Sequence, residues 1–307
     1  MSQSRAAPSP ALRRVLLIVN PGARRAERSA KHVIEEMAHR NVSCEVMFTK
    51  RGGHATEIAN ERAASFDAVF TLGGDGTAME VITALADRGP PVGILPGGTG
   101  NVLVRSLGIS TRVRTAVRSL LDGQELLLDL GRFADGRHFA IGLGVGLDEA
   151  MIAGASRLMK RHTGVLAYVW SATVASIRLE RFQVRLTVDG KVHELRASSV
   201  LIANLGSVLG GRIKFGENIL YDDGLLQACV YSPQNFVDLL RIFWKMLKGT
   251  SHLDRCTMCV SGREFRLETD PPRRAQADGE LLGTTPIEVT VRPLAGRVLV
   301  PTDRRSS

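Results

Sequence analysis

Two glycine-rich turns, each directly after an aliphatic run, restrict the possible folds of this chain more than any other feature. Leu72-Gly73-Gly74-Asp75-Gly76-Thr77 closes the run Ala68–Leu72, and Pro96-Gly97-Gly98-Thr99-Gly100-Asn101 closes Val92–Leu95. A shorter turn, Asn20-Pro21-Gly22, closes Val15–Val19. Continuous apolar runs of this length mark strands buried on both faces. Helical spacing comes between them: Ala30, Val33, Ile34 and Met37 within Ala26–His39, then Ala55–Ala64, Met79–Leu85, Asn101–Leu107 and Val113–Leu121. With Cys44–Phe48 as a further strand the order is β-α-β-α, which predicts a parallel, doubly wound α/β sheet over residues 12–127.

The pattern changes after Leu127. Leu127–Phe133 and His138–Gly142 read as strands joined by the turn pair Asp135-Gly136. One helical stretch, 164–178, precedes a series of strands: Phe182–Val188, Lys191–Arg196, Ser199–Asn204, Leu225–Tyr231, Met258–Ser261, Glu264–Glu268, Ile287–Val291 and Val298–Pro301. Strand runs separated by polar turns indicate a β-sandwich, here over 128–296. A length of 307 residues suits two domains of about 150 residues, each able to bury a core without disulfide or metal. Residues 1–11 and 304–307 read as flexible tails.

Forty Lys and Arg against 31 Asp and Glu give a net charge of +9. A basic balance favours nucleic acid, an anionic membrane or phosphate-bearing substrates, or simply keeps the protein in solution. Aromatic residues are only 5% and no known binding module is visible, which argues against nucleic acid. Met1–Arg14 is polar and basic, the run Val15–Val19 is too short for a signal core, and no stretch approaches the ~18 apolar residues of a membrane span. The expectation is a cytoplasmic protein able to visit a membrane surface. Cys256 and Cys259 form a C-x-x-C with no second ligand pair at zinc spacing. They and Cys44 and Cys229 are expected to be free thiols of a reducing compartment.

Glycines let backbone N–H groups approach phosphate oxygens, and the helix N-termini that follow favour negative charge. The turns are not a Walker A loop, since no Gly-Lys-Ser/Thr follows, and Met79 stands where a dinucleotide fingerprint needs its third glycine. Tight turns alone would explain one such loop. Two on adjacent strands, each with Thr and a helix after it, point to a nucleotide. Asp75 reads either as the N-cap of a helix starting near Thr77 or as a holder of Mg²⁺ on the phosphates, and Asn101 is ambiguous in the same way.

Asn20-Pro21, Gly73-Gly74-Asp75-Gly76-Thr77 and Gly98-Thr99-Gly100-Asn101 together resemble the diacylglycerol kinase catalytic-domain family, which includes bacterial lipid kinases, sphingosine kinases and ceramide kinases. Gly53-His54-Ala55-Thr56-Glu57, Leu220–Leu226 with its Asp222-Asp223-Gly224, Gln276–Glu280 and Arg297–Pro301 fit the same family, in its order. The resemblance implies a Rossmann-like ATP-binding domain, a β-sandwich facing lipid, and a last strand, 297–303, returning to the first domain. It places ATP on Asn20, Pro21, Gly22, Thr49, Gly74, Asp75, Gly76, Thr77, Glu80 and Thr99. It places Mg²⁺ on Asp223 and the carbonyls of Leu220 and Leu225, and the general base on Glu280, with a membrane lipid as the second substrate. Val102 stands where bacterial relatives carry an Asp, which removes a carboxylate from the presumed metal network. Arg24 replaces a Ser/Gly-rich run and adds a cation near the phosphates.

Asn235–Lys248 has apolar residues at helical spacing ringed by Arg241, Lys245 and Lys248, either as a packed helix or as one docking on anionic lipid. Arg157, Lys160, Arg161 and His162 form a second basic cluster. Two other functions stay open beside lipid kinase: an NAD kinase-like enzyme, which shares Gly-Gly-Asp-Gly, and a catalytically silent lipid- or nucleotide-binding protein. A homodimer is also compatible with the sequence.

Overall fold

A computed structural model of the chain describes residues 7–8, 12–23, 26–146, 180–205, 207–208, 213–214, 219–278 and 280–302. The helix expected at 164–178, the basic cluster at 157–162, Arg24 and the segment 304–307 lie outside them. The chain divides into two units, Met1–Leu130 with Pro293–Ser307, and Gly131–Arg292.

The first unit is built from β1 (Arg14–Val19), α1 (Ala26–His39), β2 (Ser43–Phe48), α2 (His54–Arg62), β3 (Ala68–Gly73), α3 (Asp75–Ala84), β4 (Val92–Pro96), α4 (Val102–Ser106) and α5 (Val113–Leu121). Its strands are parallel in the order β2-β1-β3-β4. β3 and β4 are buried along their whole length and β1 from Val15 onward, as continuous apolar runs require. α1 turns Ala30, Val33 and Met37 inward, and packs beside α5, whose stripe is Ala116, Val117 and Leu120. Between these two helices the Arg118 guanidinium forks onto Glu36 at 2.7 Å from each oxygen and holds that carboxyl below its usual range.

The remaining strands longer than two residues are β5 (Gln124–Phe133), β6 (Gly142–Val145), β7 (Phe182–Val188), β8 (Lys191–Ala197), β9 (Ser199–Ala203), β10 (Leu226–Tyr231), β11 (Thr257–Gly262), β12 (Glu264–Asp270), β13 (Arg274–Ala277), β14 (Glu280–Thr284) and β15 (Ile287–Val300), with α6 (Phe236–Lys248) before β11. In the second unit one sheet runs β8-β7-β12-β15 and the other β11-β10-β9-β6-β13-β14. β7 alternates, with Phe182, Val184, Leu186 and Val188 inward. They share one core with Phe265, Leu267 and Val289 and with Leu143, Val145, Val200, Ile202 and Val230 of the second sheet. The turn between β7 and β8 is Asp189-Gly190, both at positive φ (47° and 81°), as the twist of a two-residue hairpin demands.

Four local features differ from the sequence reading. Ile287–Val291 and Val298–Pro301 belong to one strand of 14 residues, β15, whose end pairs in parallel with β4 through Val298 and Val92. Pro293 and Gly296 disguise it. Leu294 takes φ 54° there, and its N–H is received by the buried Asp129 at 2.7 Å. His138–Gly142 breaks after Phe139, because the amides of Ala140–Gly142 point to Asp278 instead of a ladder. Arg274–Ala277 and Glu280–Thr284 form a hairpin where only a turn was expected. Lastly, the expectation of four free thiols is corrected. The β10–β11 register sets Cys229 opposite Cys259 and the two form a disulfide, while Cys256 is buried and free. Cys44 is also free, with burial pushing its thiol up to about 11. Among the described residues no helix is long and apolar enough to cross a membrane.

α6 is pinned by Asp254, which accepts Arg241 Nε at 2.7 Å, Lys245 Nζ at 3.1 Å and the Cys256 amide at 2.9 Å. Arg241 above all holds the Asp254 carboxyl far below the usual carboxylate range. A depressed folded-state value adds stability above the unfolded carboxylate's value of about 3.9, and that contribution is lost as pH falls below it. Asp254→Asn is therefore expected to lower the melting temperature at neutral pH, with the gap to wild type closing in melts taken stepwise below pH 4.

Candidate functional site

The carboxyl ends of β1, β3 and β4 carry the three turns. The strand order reverses between β1 and β3, the switch point where parallel sheets take their ligands. Asn20 knits this point together. Its N–H donates to the Leu72 carbonyl at 3.0 Å, its Oδ1 accepts the Gly22 amide at 2.9 Å, and its Nδ2 donates to Thr77 Oγ1 at 3.2 Å. Pro21 and Gly22 lie exposed beyond it, and Thr49, buried after β2, donates its amide to Val19 at 2.9 Å.

The two long turns touch backbone to backbone. Gly97 donates its amide to the Gly73 carbonyl at 2.9 Å. A Cβ on Gly97 would lie 2.8 Å from the Gly73 nitrogen, and one on Gly98 2.7 Å from the Gly74 Cα. Gly74 is roomier, since the nearest atom to a Cβ there is the Gly98 Cα at 3.8 Å. Gly74 is extended and leads into α3 at Asp75 with no side-chain cap. The first amides of α3 therefore have no acceptor from their own helix, and the positive end of its dipole opens at the turn. Backbone amides unscreened by side chains suit phosphate oxygens.

The side chains of these turns are tied to backbone amides, and the own-helix caps considered for Asp75 and Asn101 are corrected. Asp75 does not cap its own helix: its two oxygens accept the Val102 and Leu103 amides, at 3.0 and 2.9 Å, so it caps α4. Asn101 does not cap α4 with its side chain; at φ 47° it closes the turn on Gly98, accepting that amide at 3.0 Å and donating to its carbonyl at 2.9 Å. Glu80 accepts the Gly53 and Ala55 amides, each at 3.0 Å, and so caps α2 from α3. Gly76 lies in the first turn of α3, and Thr99 is exposed in the second glycine turn.

In the second unit Leu220, Asp223 and Leu225 lie on one short segment, with Asp223 Oδ1 accepting the Leu225 amide at 3.0 Å. Burial, and then the neighbouring charge of Asp222, push the Asp223 carboxyl up. Glu280 opens β14 with an exposed side chain, paired across the hairpin with Ala277. Asp278, at φ 49°, accepts three amides, from Ala140 at 2.7 Å, Ile141 at 2.9 Å and Gly142 at 3.0 Å. The sequence reading centred on Glu280 and considered Asp278 only as a brace of the turn or a metal holder, without these partners. An Asp before a Gly signals a turn, but partners over 130 residues away leave no local trace.

Residues 14–133 match the family model of the diacylglycerol kinase catalytic domain. Residues 142–300 match the YegS C-terminal NAD kinase beta sandwich-like domain. Protein sll0036 of Synechocystis sp. is 28% identical, covering 94% of this chain and 70% of its own length. "Putative lipid kinase SAR0780" of Staphylococcus aureus is 28% identical over 80% of this chain and 81% of its own. A crystal structure described as "a putative diacylglycerol kinase" from Bacillus anthracis superposes with a TM-score of 0.80 at 25% identity, covering 95% of this chain and 98% of that one.

The contact between the turns makes a steric prediction. Gly97→Ala must push two backbones apart and is expected to cost at least about 1–3 kcal/mol in denaturant unfolding. Gly74→Ala, with room for the methyl, is expected to stay within about 1 kcal/mol of wild type. Equal losses would mean that the turns are not in fixed contact.

Proposed function

The chain belongs to the diacylglycerol kinase catalytic-domain family, and on that premise we propose that it is an ATP-dependent lipid kinase. Membership of a kinase family, with relatives named "putative lipid kinase", supports a phosphotransferase. The finer reading is transfer of the γ-phosphate of ATP to a hydroxyl of a membrane lipid, diacylglycerol-like or sphingoid-like. The observation that carries it is the pair of glycine turns in backbone contact at the switch point, with the open amides of α3 beside them.

In this reading the amides of Gly74, Asp75, Gly76 and Thr77 receive phosphate oxygens, with Asn20, Pro21, Gly22, Thr49 and Thr99 around the nucleotide. Asp75 and Glu80 contribute by holding α4 and α2 in place. Mg²⁺, when bound, neutralises charge on the oxygens it meets. Asp223 and the carbonyls of Leu220 and Leu225 would hold one such ion. A carboxylate whose charged form is disfavoured by burial and by Asp222 gains from a hard cation. Glu280 takes the proton of the lipid hydroxyl as its oxygen bonds to the γ-phosphorus and the bond to the β-phosphate oxygen breaks, leaving phosphorylated lipid and ADP. Asp278 orients Glu280 by fixing the hairpin. The protein is further proposed to meet an anionic membrane peripherally from the cytoplasm, without nucleic acid, and a homodimer is compatible with this.

The test is purified protein with γ-labelled ATP, Mg²⁺, NAD and mixed lipid vesicles, followed by phase separation. Label in the organic phase is expected. Label only in NADP would replace the reading by an NAD kinase, and no transfer at all by a binding protein. Glu280→Gln is expected to lower turnover at least about 10²-fold while ATP affinity stays at the wild-type value, which steady-state kinetics with calorimetry would separate.

A further inference from the structure

α6 starts at Asn235, whose side chain accepts the Asp238 amide at 2.9 Å, and stops at Gly249 in the left-handed region. Asp238 and Ile242 face inward, and Ile242 and Met246 pack with Cys229, Tyr231 and Cys256. At 3.6 residues per turn the side away from Ile242 holds Val237, Leu240, Trp244, Leu247 and Lys248. Val237 is 68% exposed and Trp244 53%. Leu253, 67% exposed, sits beside the helix, its carbonyl accepting Lys245 Nζ at 3.1 Å. Three of the four most exposed large apolar side chains among the described residues thus lie on α6 or in the segment just after it.

The charge around this face has one sign. Between Ser232 and Arg263 the acids are Asp238 and Asp254. Both are buried and bound by Arg241, at 2.7 Å each. Lys248, Arg255 and Arg263 are exposed. A symmetric pairing of two copies through this face would set cations against cations with no exposed acid to answer them. An anionic surface answers them all, and an apolar strip with Trp and a cationic rim is the pattern of a helix lying in a lipid interface.

We propose that the outward face of α6, with Leu253, is the surface by which this protein seats on an anionic bilayer. The proposal rests on the lipid-kinase reading for its biological sense, and its test is separable from it. Co-sedimentation would use vesicles of equal parts phosphatidylglycerol and phosphatidylcholine, with pure phosphatidylcholine as control. The triple variant Val237→Glu, Trp244→Glu, Leu253→Glu is expected to lose binding to the anionic vesicles at least tenfold. It should melt as wild type and keep its turnover on a short-chain lipid dispersed as monomers. Lys248→Glu alone should weaken anionic binding without touching the apolar strip. In a Trp170→Phe background, Trp244 emission should shift to the blue on anionic vesicles. Unchanged sedimentation of the triple variant, or conversion of a wild-type dimer to monomer with vesicle binding intact, would overturn the proposal. Wild type that docks through this face yet phosphorylates no lipid would leave docking standing and remove the kinase reading. Kinase activity with docking indifferent to these residues would do the reverse.

Discussion

Gly97 gives its amide to the carbonyl of Gly73, and a methyl group on Gly97 or Gly98 would overlap the facing turn. This contact exists because β3 and β4 are parallel neighbours in register, Gly73 beside Pro96. Both chains leave the sheet at the same level, where side chains would collide. Glycine removes the collision and leaves amides bare on the same side. The other ties build on it. Asp75 reaches across to hold the start of α4, and Asn20 reaches from β1 to the first turn of α3. Three loops far apart in sequence become one surface through polar contacts to backbone and a close approach that admits no Cβ.

The second unit uses the same device in a different frame. Asp278 receives three consecutive amides that would otherwise be orphaned where the short strand His138–Phe139 ends. Its own amide donates to the Gly142 carbonyl at 3.1 Å, and the ladder resumes at once with Ala277 beside Leu143. The hairpin carrying Glu280 is thereby fixed at its base to a central strand of its sheet. Rigidity of that kind is what the proposed proton acceptor would need, since misplacement by about 1 Å can cost on the order of 10²-fold in rate.

What could be read from residues alone follows from the range of the interactions. The parallel strands and their helices were legible because burial on both faces writes itself as unbroken apolar runs such as Val15–Val19 and Ala68–Leu72. α1 was legible to the residue because Ala30, Val33 and Met37 carry its period. The glycine turns were legible as candidates for phosphate binding, but their mutual contact was not, since it depends on which strands are neighbours. β15 was misread as two pieces because its bend at Leu294 is held by Asp129, on a strand far upstream. The disulfide was missed for a like reason. The C-x-x-C spacing drew the eye to Cys256, whereas the antiparallel register selects Cys229, 30 residues from Cys259.

The acids in the motifs divide by what their oxygens meet. Asp75, Glu80 and Asp278 each hold backbone amides with both oxygens, and in each case the amides belong to a different element from the acid. A carboxylate so engaged has both oxygens committed to the backbone of another element. That suits all three to positioning. Glu280 is exposed at the start of β14, and Asp223 meets one amide while burial and Asp222 press against its charge. The first is the carboxylate proposed above as the base, and the second the one proposed to meet a cation. Of these five acids, three clamp the backbone of another element, and two, Asp223 and Glu280, are those proposed above for chemistry. That separation follows from hydrogen-bond geometry, and sequence spacing carries no sign of it.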